Sequence, residues 1–279
     1  MRAAVVQMNS TANVDRNLEV AERLVRDAAG RGADLVVLPE KWNLLAGAAE
    51  LRAGAEPLEG PTISAARGWA RELGIALVAG SIAERTEVDG RAFNTSVLID
   101  GDGEIAAAYR KIHMFDVEVG GVVYRESETE QPGEEIVVTE AAGLELGLTV
   151  CYDLRFPELY RILAVRGARA FTVPSAFTAH TGRDHWEVLL RARAIENQAF
   201  VIAANQHGAA PPHYDSYGRS MIVDPWGVPL AVAPDGAAVA VAELDAGAQE
   251  RVRASLPSLA NRRPQAYVWP ELMEAVAHG

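Results

Sequence analysis

Cysteine is almost missing from this chain of 279 residues. The lone Cys151 cannot form an internal disulfide, so nothing in the fold depends on an oxidising compartment. Long apolar runs are missing too: Leu35-Val36-Val37-Leu38 and Phe200-Val201-Ile202-Ala203-Ala204 fall far short of the ~20 residues needed to span a bilayer. Histidine is sparse, and His113, His180, His185, His207, His213 and His278 include no pair at metalloprotease spacing, so no metal is expected. Positive charge is scarce: 26 Lys and Arg face 38 Asp and Glu, for a net charge of −12. That argues against a nucleic-acid binder, which needs clustered cations for phosphate, although one arginine can still dominate a pocket. There is no low-complexity linker, no charge run and no signal-peptide cleavage pattern ahead of Ala3–Val6. The expectation is one continuous cytoplasmic domain over residues 1–279, without a membrane segment.

What is present alternates. Ala3–Met8 reads as a buried strand, and Leu18, Ala21, Val25 and Ala28 then recur at helical spacing until Gly30 and Gly32. Asp34–Pro39 is a second strand. A helix from near Pro61 to before Gly74 leads into the strand Ile75–Gly80. Asp100-Gly101-Asp102-Gly103 joins strands about Val97 and Ala107 as a hairpin. The second half repeats the theme: strand Leu146–Val150, helix Glu158–Arg166, strand Ala170–Val173, helix Asp184–Gln198, strand Phe200–Ala204. Met221–Val223, Leu230–Val232 and Val239–Ala242 follow as antiparallel strands, and the alternation predicts layered α/β architecture.

Three residues stand at strand ends. Glu40 closes Leu35-Val36-Val37-Leu38-Pro39, Lys111 follows Tyr109-Arg110, and Cys151 closes Leu146-Gly147-Leu148-Thr149-Val150. Such ends are where α/β folds place their sites, and a helix beginning at Cys151 favours its thiolate. Taken singly, each has a plainer explanation: a cysteine used as a small hydrophobe, a solvated loop acid, a surface lysine.

Together they are not plain. Leu-Pro-Glu40, then Tyr-Arg-Lys111-Ile-His, then Val-Cys151-Tyr-Asp-Leu-Arg-Phe-Pro-Glu resembles the nitrilase, or carbon–nitrogen hydrolase, superfamily. The resemblance extends through Asn94-Thr95-Ser96, Pro132-Gly133, His185-Trp186-Glu187, residues Arg191 to Gln198 and Asp224-Pro225-Trp226-Gly227. It implies a four-layer αββα sandwich and an amidase of small molecules that needs no cofactor. Glu40 would be the general base and Cys151 the nucleophile, with Lys111 and the Tyr152 backbone N–H as oxyanion donors. A second glutamate is implied at Glu126, with Glu128 as the other candidate, since Gly120-Gly121-Val122 shifts the spacing. Homodimers or higher homo-oligomers are the family habit, and residues 257–279 would form a C-terminal arm kept extended by Pro257 and Pro264.

Lys111-Ile112-His113-Met114-Phe115-Asp116-Val117 and Glu126-Ser127 resemble the Nit-type branch, and Pro174-Ser175-Ala176-Phe177 resembles deaminated-glutathione amidases more than ω-amidases. Arg155 is the candidate reader of a substrate carboxylate, its plainer role being an ion pair to Asp153 or Glu158. Tyr152, Phe177 and Ser175 are the other substrate-binding candidates. A nitrilase or an N-carbamoyl amidohydrolase on the same three residues is the alternative. A non-catalytic metabolite-binding member is a distant one, because binding alone needs no poised thiol. His185-Trp186-Glu187 imitates the His-x-Glu of triad glutaminases, but these set their cysteine in a Gly-flanked elbow. Here Val150 and Tyr152 flank Cys151, and His185 is expected at a helix start, bonded locally.

Overall fold

The computed structural model describes residues 1–85, 90–210 and 214–266. Two sheets stack face to face. In the first, the order is Ala238–Glu243, Arg2–Gln7, Leu35–Val37, Ala76–Val78, Phe93–Ile99, Ile82–Glu84, with Ile105–Arg110 also paired to Phe93–Ile99. In the second it is Pro229–Val232, Met221–Val223, Phe200–Ala203, Ala170–Thr172, Leu144–Leu148, Val138–Ala141. Each sheet has a parallel centre, Arg2–Gln7 with Leu35–Val37 and Ala76–Val78 in one, Leu144–Leu148 with Ala170–Thr172 and Phe200–Ala203 in the other, flanked by antiparallel edges.

The strands are apolar on both faces because both faces are covered. Ala3, Val5, Leu35 and Val37 pack between the sheets against Leu146, Leu148, Phe200 and Ile202. The alternate residues Val6, Val36 and Leu38 pack outward on the helices Val14–Gly30 and Pro61–Leu73, through Leu24, Val25, Ile63 and Trp69. Phe171, Val173 and Val201 do the same beneath Pro157–Val165 and Ala179–Asn197. At about 1.5–3 kcal/mol per buried Val or Leu side chain, these three apolar interfaces set the layer order. The αββα sandwich expected from the resemblance is the fold observed.

Local chemistry sets the ends of these elements. Asn13 Oδ1 accepts from Arg16 N at 3.0 Å to cap the first helix. Gly74 ends the helix that Pro61 begins, in the left-handed conformation at φ 63°. The Asp100–Gly103 turn joins Phe93–Ile99 to Ile105–Arg110 as the hairpin signal required. Two expectations are corrected. The helix expected from Asp184 starts at Ala179, so His185 lies in its interior, not at its start. Residues 257–266 are not extended: Asn261 N donates to Pro257 O at 2.9 Å, and Pro264–Ala266 is a short 3₁₀ turn. Proline fixes its own φ near a value that turns share with extended chain, so it does not by itself impose extension. The remainder of the expected arm, residues 267–279, lies outside the described residues.

Candidate active site

The site lies beyond the ends of strands from both sheets. Gly80 permits one approach that no other residue allows. At φ 40° a Cβ there would lie 1.9 Å from Pro39 O, so the bare glycine lets the loop bearing Glu40 press onto its neighbour. Lys41 N then donates to Ser81 Oγ at 3.2 Å, and Trp42 Nε1 to Ala79 O at 3.0 Å. Gln206 Nε2 donates to Glu40 O at 2.9 Å. Glu40 is thereby held on rigid backbone.

Its carboxylate is fully engaged. Oε1 accepts from Asn94 Nδ2 at 2.9 Å and from Lys111 Nζ at 3.1 Å, and Oε2 accepts from Ala176 N at 2.8 Å. Lys111 Nζ also donates to both oxygens of Glu126, at 2.9 and 2.8 Å. Glu126 Oε2 accepts in addition from Phe115 N at 2.8 Å. Of the two candidates for the second glutamate, Glu126 is the one beside Lys111. Glu128 is exposed at the cavity mouth, where its carbonyl accepts from Arg52 at 2.5 Å.

Cys151 follows Leu144–Leu148 and opens a 3₁₀ turn, Cys151–Arg155, ahead of the helix Pro157–Val165. Its φ of 48° is left-handed, a conformation that side-chain-bearing residues adopt rarely and mostly at functional sites. The turn at Cys151 is therefore sharp without flanking glycines, a correction to the elbow argument: the strain is carried by Cys151 itself. The thiol stands beside the Glu40 carboxylate at the cavity wall. Burial, reinforced by the Glu40 charge, pushes the thiol pKa well above its ordinary value. The thiolate expected from a helix N-terminus is thus not the resting form; a neutral thiol facing a carboxylate is.

The charges behind it form one cluster. Burial works against the Lys111 ammonium, but Glu126 and Glu40 more than offset it and hold the pKa well above the usual lysine value. Lys41, half-buried, is lowered by desolvation but raised on balance by Glu130 and Glu126; its Nζ lies 2.5 Å from Glu130 Oε1 and 3.5 Å from Glu126 Oε1. Glu126, despite burial, is held below the usual carboxylate range by Lys111 and Lys41. Glu130 goes the other way: burial and the Glu126 charge, opposed by Lys41, push it up to about 7.

A cavity of about 290 Å³ opens over Cys151, with Glu40, Lys111 and Glu126 in its wall. Tyr152, Phe177 and Arg155 line it as expected, and Leu45, Leu51, Phe115 and Val122 add apolar surface. Ser175 does not. It is fully buried below the wall, its hydroxyl directed to Val173 O at 3.3 Å. The residue that reaches the site from this segment is the next one, through Ala176 N. Arg155 pairs with neither Asp153 nor Glu158. Its Nη1 meets His185 Nδ1 at 3.1 Å, and its guanidinium lies 5.0 Å from the Phe177 ring centre. Among the described residues no carboxylate lies within ion-pair distance of it. His185 thus supports Arg155, and among the described residues no histidine is bonded to Cys151.

Asn94, Lys41 and Glu130 join this cluster without being singled out by the sequence. Asn94 is visible there only as part of a matching segment. Lys41 and Glu130 carry no local signal, since burial is not written in residue type.

Known proteins bear on this geometry. Residues 2–254 match the family model described as carbon-nitrogen hydrolase. The chain is 41% identical over 265 residues to the deaminated glutathione amidase of Synechocystis sp., covering 93% of this chain and 97% of that one. It is 37% identical over 267 residues to Omega-amidase NIT2 of Danio rerio, covering 95% and 96%. Among solved structures, the C. elegans NitFhit protein matches with a TM-score of 0.91 at 37% identity, over 96% of this chain and 66% of that longer one. A mutant of the Nesterenkonia sp. amidase matches with a TM-score of 0.81 at 29% identity, over 95% of each chain. That structure shows covalent addition of the acetamide moiety of fluoroacetamide at its active-site cysteine.

Proposed function

Because this chain belongs to the carbon–nitrogen hydrolase family and is a hydrolase of carbon–nitrogen bonds, we propose that it is an amidase cleaving a small carboxylate-bearing amide through a thioester on Cys151, with release of the amine, which is ammonia where the amide is primary. The observation that carries the reading is the contact set of Glu40. One carboxylate meets the Cys151 thiol, the Lys111 ammonium and the Ala176 N–H, at the wall of a cavity that also holds Arg155.

The chemistry follows from that set. Glu40 takes the thiol proton as sulfur attacks the amide carbon, so the costly buried thiolate never accumulates. Negative charge moves to the carbonyl oxygen, where Lys111 and the Tyr152 N–H receive it. Glu126 keeps Lys111 charged and aimed. As the tetrahedral species collapses, the C–N bond breaks and Glu40 returns the proton to the departing amine. Water, deprotonated by Glu40, then attacks the thioester and frees the acid and the thiol.

The relatives named deaminated glutathione amidase, and the one named Omega-amidase, support an acyl group that ends in a carboxylate. A deaminated-glutathione-type substrate is the first choice and an ω-amidase-type substrate the second. Two copies of the chain in the cytoplasm complete the reading; Val188 and Ile195 on the outer face of Ala179–Asn197, and Trp226, offer apolar surface for a partner copy. Among the described residues no helix is long and apolar enough to cross a membrane. Formation of the free acid from a panel of deaminated glutathione, α-ketoglutaramate, neutral amides of matched length and nitriles, and of the free amino acid from N-carbamoyl amino acids, tests the assignment. Carboxylate-bearing amides are expected to lead by at least tenfold in kcat/KM. A nitrile or carbamoyl compound in first place overturns it.

A further inference from the structure

Asp153 stands two residues beyond the nucleophile, is fully buried, and is not among the residues lining the cavity. A buried carboxylate is strongly disfavoured without compensating donors, and this one has four. Oδ2 accepts from Val150 N at 2.8 Å and from Tyr109 Oη at 2.7 Å, and Oδ1 accepts from His113 N at 3.2 Å and meets His113 Nδ1 at 2.7 Å. The His113 ring is in turn stacked on Phe156, 3.5 Å between centres and 6° between planes.

The placement of these donors is what matters. Val150 immediately precedes Cys151, while Tyr109 and His113 each stand two residues from Lys111, one on either side. The two segments come from different sheets, Ile105–Arg110 in the first and Leu144–Leu148 in the second. One side chain therefore ties the backbone just before the nucleophile to the backbone on both sides of the oxyanion donor. The left-handed Cys151 turn needs such support, since a sparsely populated backbone conformation persists only where its surroundings over-determine it.

We infer that Asp153 is a positioning residue, the clamp that fixes Cys151 relative to Lys111 across the junction of the two sheets. It acts through Val150, Tyr109 and His113 and touches no reacting atom. The inference rests on the reading of Cys151 as nucleophile and Lys111 as oxyanion donor.

Asp153→Asn is an informative variant because it cannot satisfy both backbone donors. Whichever way the amide is turned, its NH₂ faces either Val150 N–H or His113 N–H, and neither can accept. Tyr109→Phe removes a single bond from the same carboxylate and leaves the backbone donors paired. Two rates separate positioning from general support. Amide turnover needs sulfur and Lys111 in register. Disulfide formation with methyl methanethiosulfonate needs only the thiol and its base: the Cys151 sulfur bonds the methylthio sulfur, methanesulfinate leaves, and Glu40 takes the proton.

For Asp153→Asn, kcat for the amide preferred by wild type is expected to fall by roughly 30-fold or more, in line with the cost of about an ångström of misplacement. KM and the thiosulfonate rate are expected to stay within about threefold of wild type. Tyr109→Phe is expected to move the same ratio of rates by about threefold, and it carries the test if Asp153→Asn does not fold. An unchanged ratio overturns the inference, whether both rates are intact (no role) or both fall equally (support of the turn alone). Absence of amide turnover in the wild type is a different failure, that of the functional reading.

Discussion

Lys111 Nζ and Glu40 Oε1 lie 3.1 Å apart, so the group that would receive the oxyanion is already bonded to the group that would move the proton. Asn94 Nδ2 reinforces the link, donating to Glu40 Oε1 at 2.9 Å and reaching Glu126 Oε1 at 3.4 Å. On the proposed mechanism, once the thiol proton reaches Glu40 that carboxyl would lose its charge and its hold on the ammonium would weaken. Lys111 is then freer to follow the charge onto the carbonyl oxygen, while Glu126 keeps it in place.

Lys111→Arg keeps the charge but replaces a compact ammonium with a broad planar fork. A site where one nitrogen meets Glu40 and both oxygens of Glu126 has no room for that exchange without moving one of them. The expected loss is ~10²-fold or more in kcat, the scale of a missing oxyanion donor. Steady-state formation of the free acid measures it, and a rate within threefold of wild type contradicts the role.

Glu130 gives the fold a dependence on pH. Burial and the Glu126 charge push it up to about 7, whereas in an unfolded chain it ionises near 4.5. Between those values the folded protein retains a proton that the unfolded chain has released, so stability falls as pH rises through the window. Glu126, held low, has the opposite sign, and its contribution is lost only in stronger acid. Glu130→Gln cannot ionise and is expected to flatten the decline, gaining on wild type from pH 5 to pH 8. Denaturation midpoints at several pH values check this; parallel curves contradict it.

Arg155 carries the substrate prediction. It lines the cavity, is held by His185, and has no carboxylate partner among the described residues. The net charge of −12 repels anions at long range, so discrimination has to come from contact. Arg155→Ala is expected to lower kcat/KM for carboxylate-bearing amides by roughly 30-fold, as for a charge pair worth on the order of 2–5 kcal/mol. Neutral amides of equal length are expected to change little. Equal losses on both would mean that Arg155 supports the nucleophile turn and does not read the substrate.

The layers were legible in the sequence because two-sided apolar strands and amphipathic helices leave a periodic trace. Glu40, Lys111 and Cys151 stand at strand ends, but what made them legible was the resemblance of their combined motifs to the family. What escaped was decided by tertiary contact. His185 was placed at a helix start because Ala179 to Arg183 carry no strong helical signal, and Ser175 was assigned to a wall its backbone lies beneath. The left-handed Cys151 turn had no glycine to announce it. The charge states of Glu130 and Cys151 depend on burial beside particular neighbours, which no local pattern encodes.

The most direct measurement is intact-protein mass spectrometry of wild type and Cys151→Ala during turnover of the preferred amide, with the released amine assayed in the same samples. The account expects a wild-type adduct of the acyl mass without the amide nitrogen, formed alongside a first turnover of released amine. The alanine variant should be folded, unmodified and inactive. Amine release from that variant at more than a trace of the wild-type rate, or an adduct on a residue other than Cys151, would contradict it.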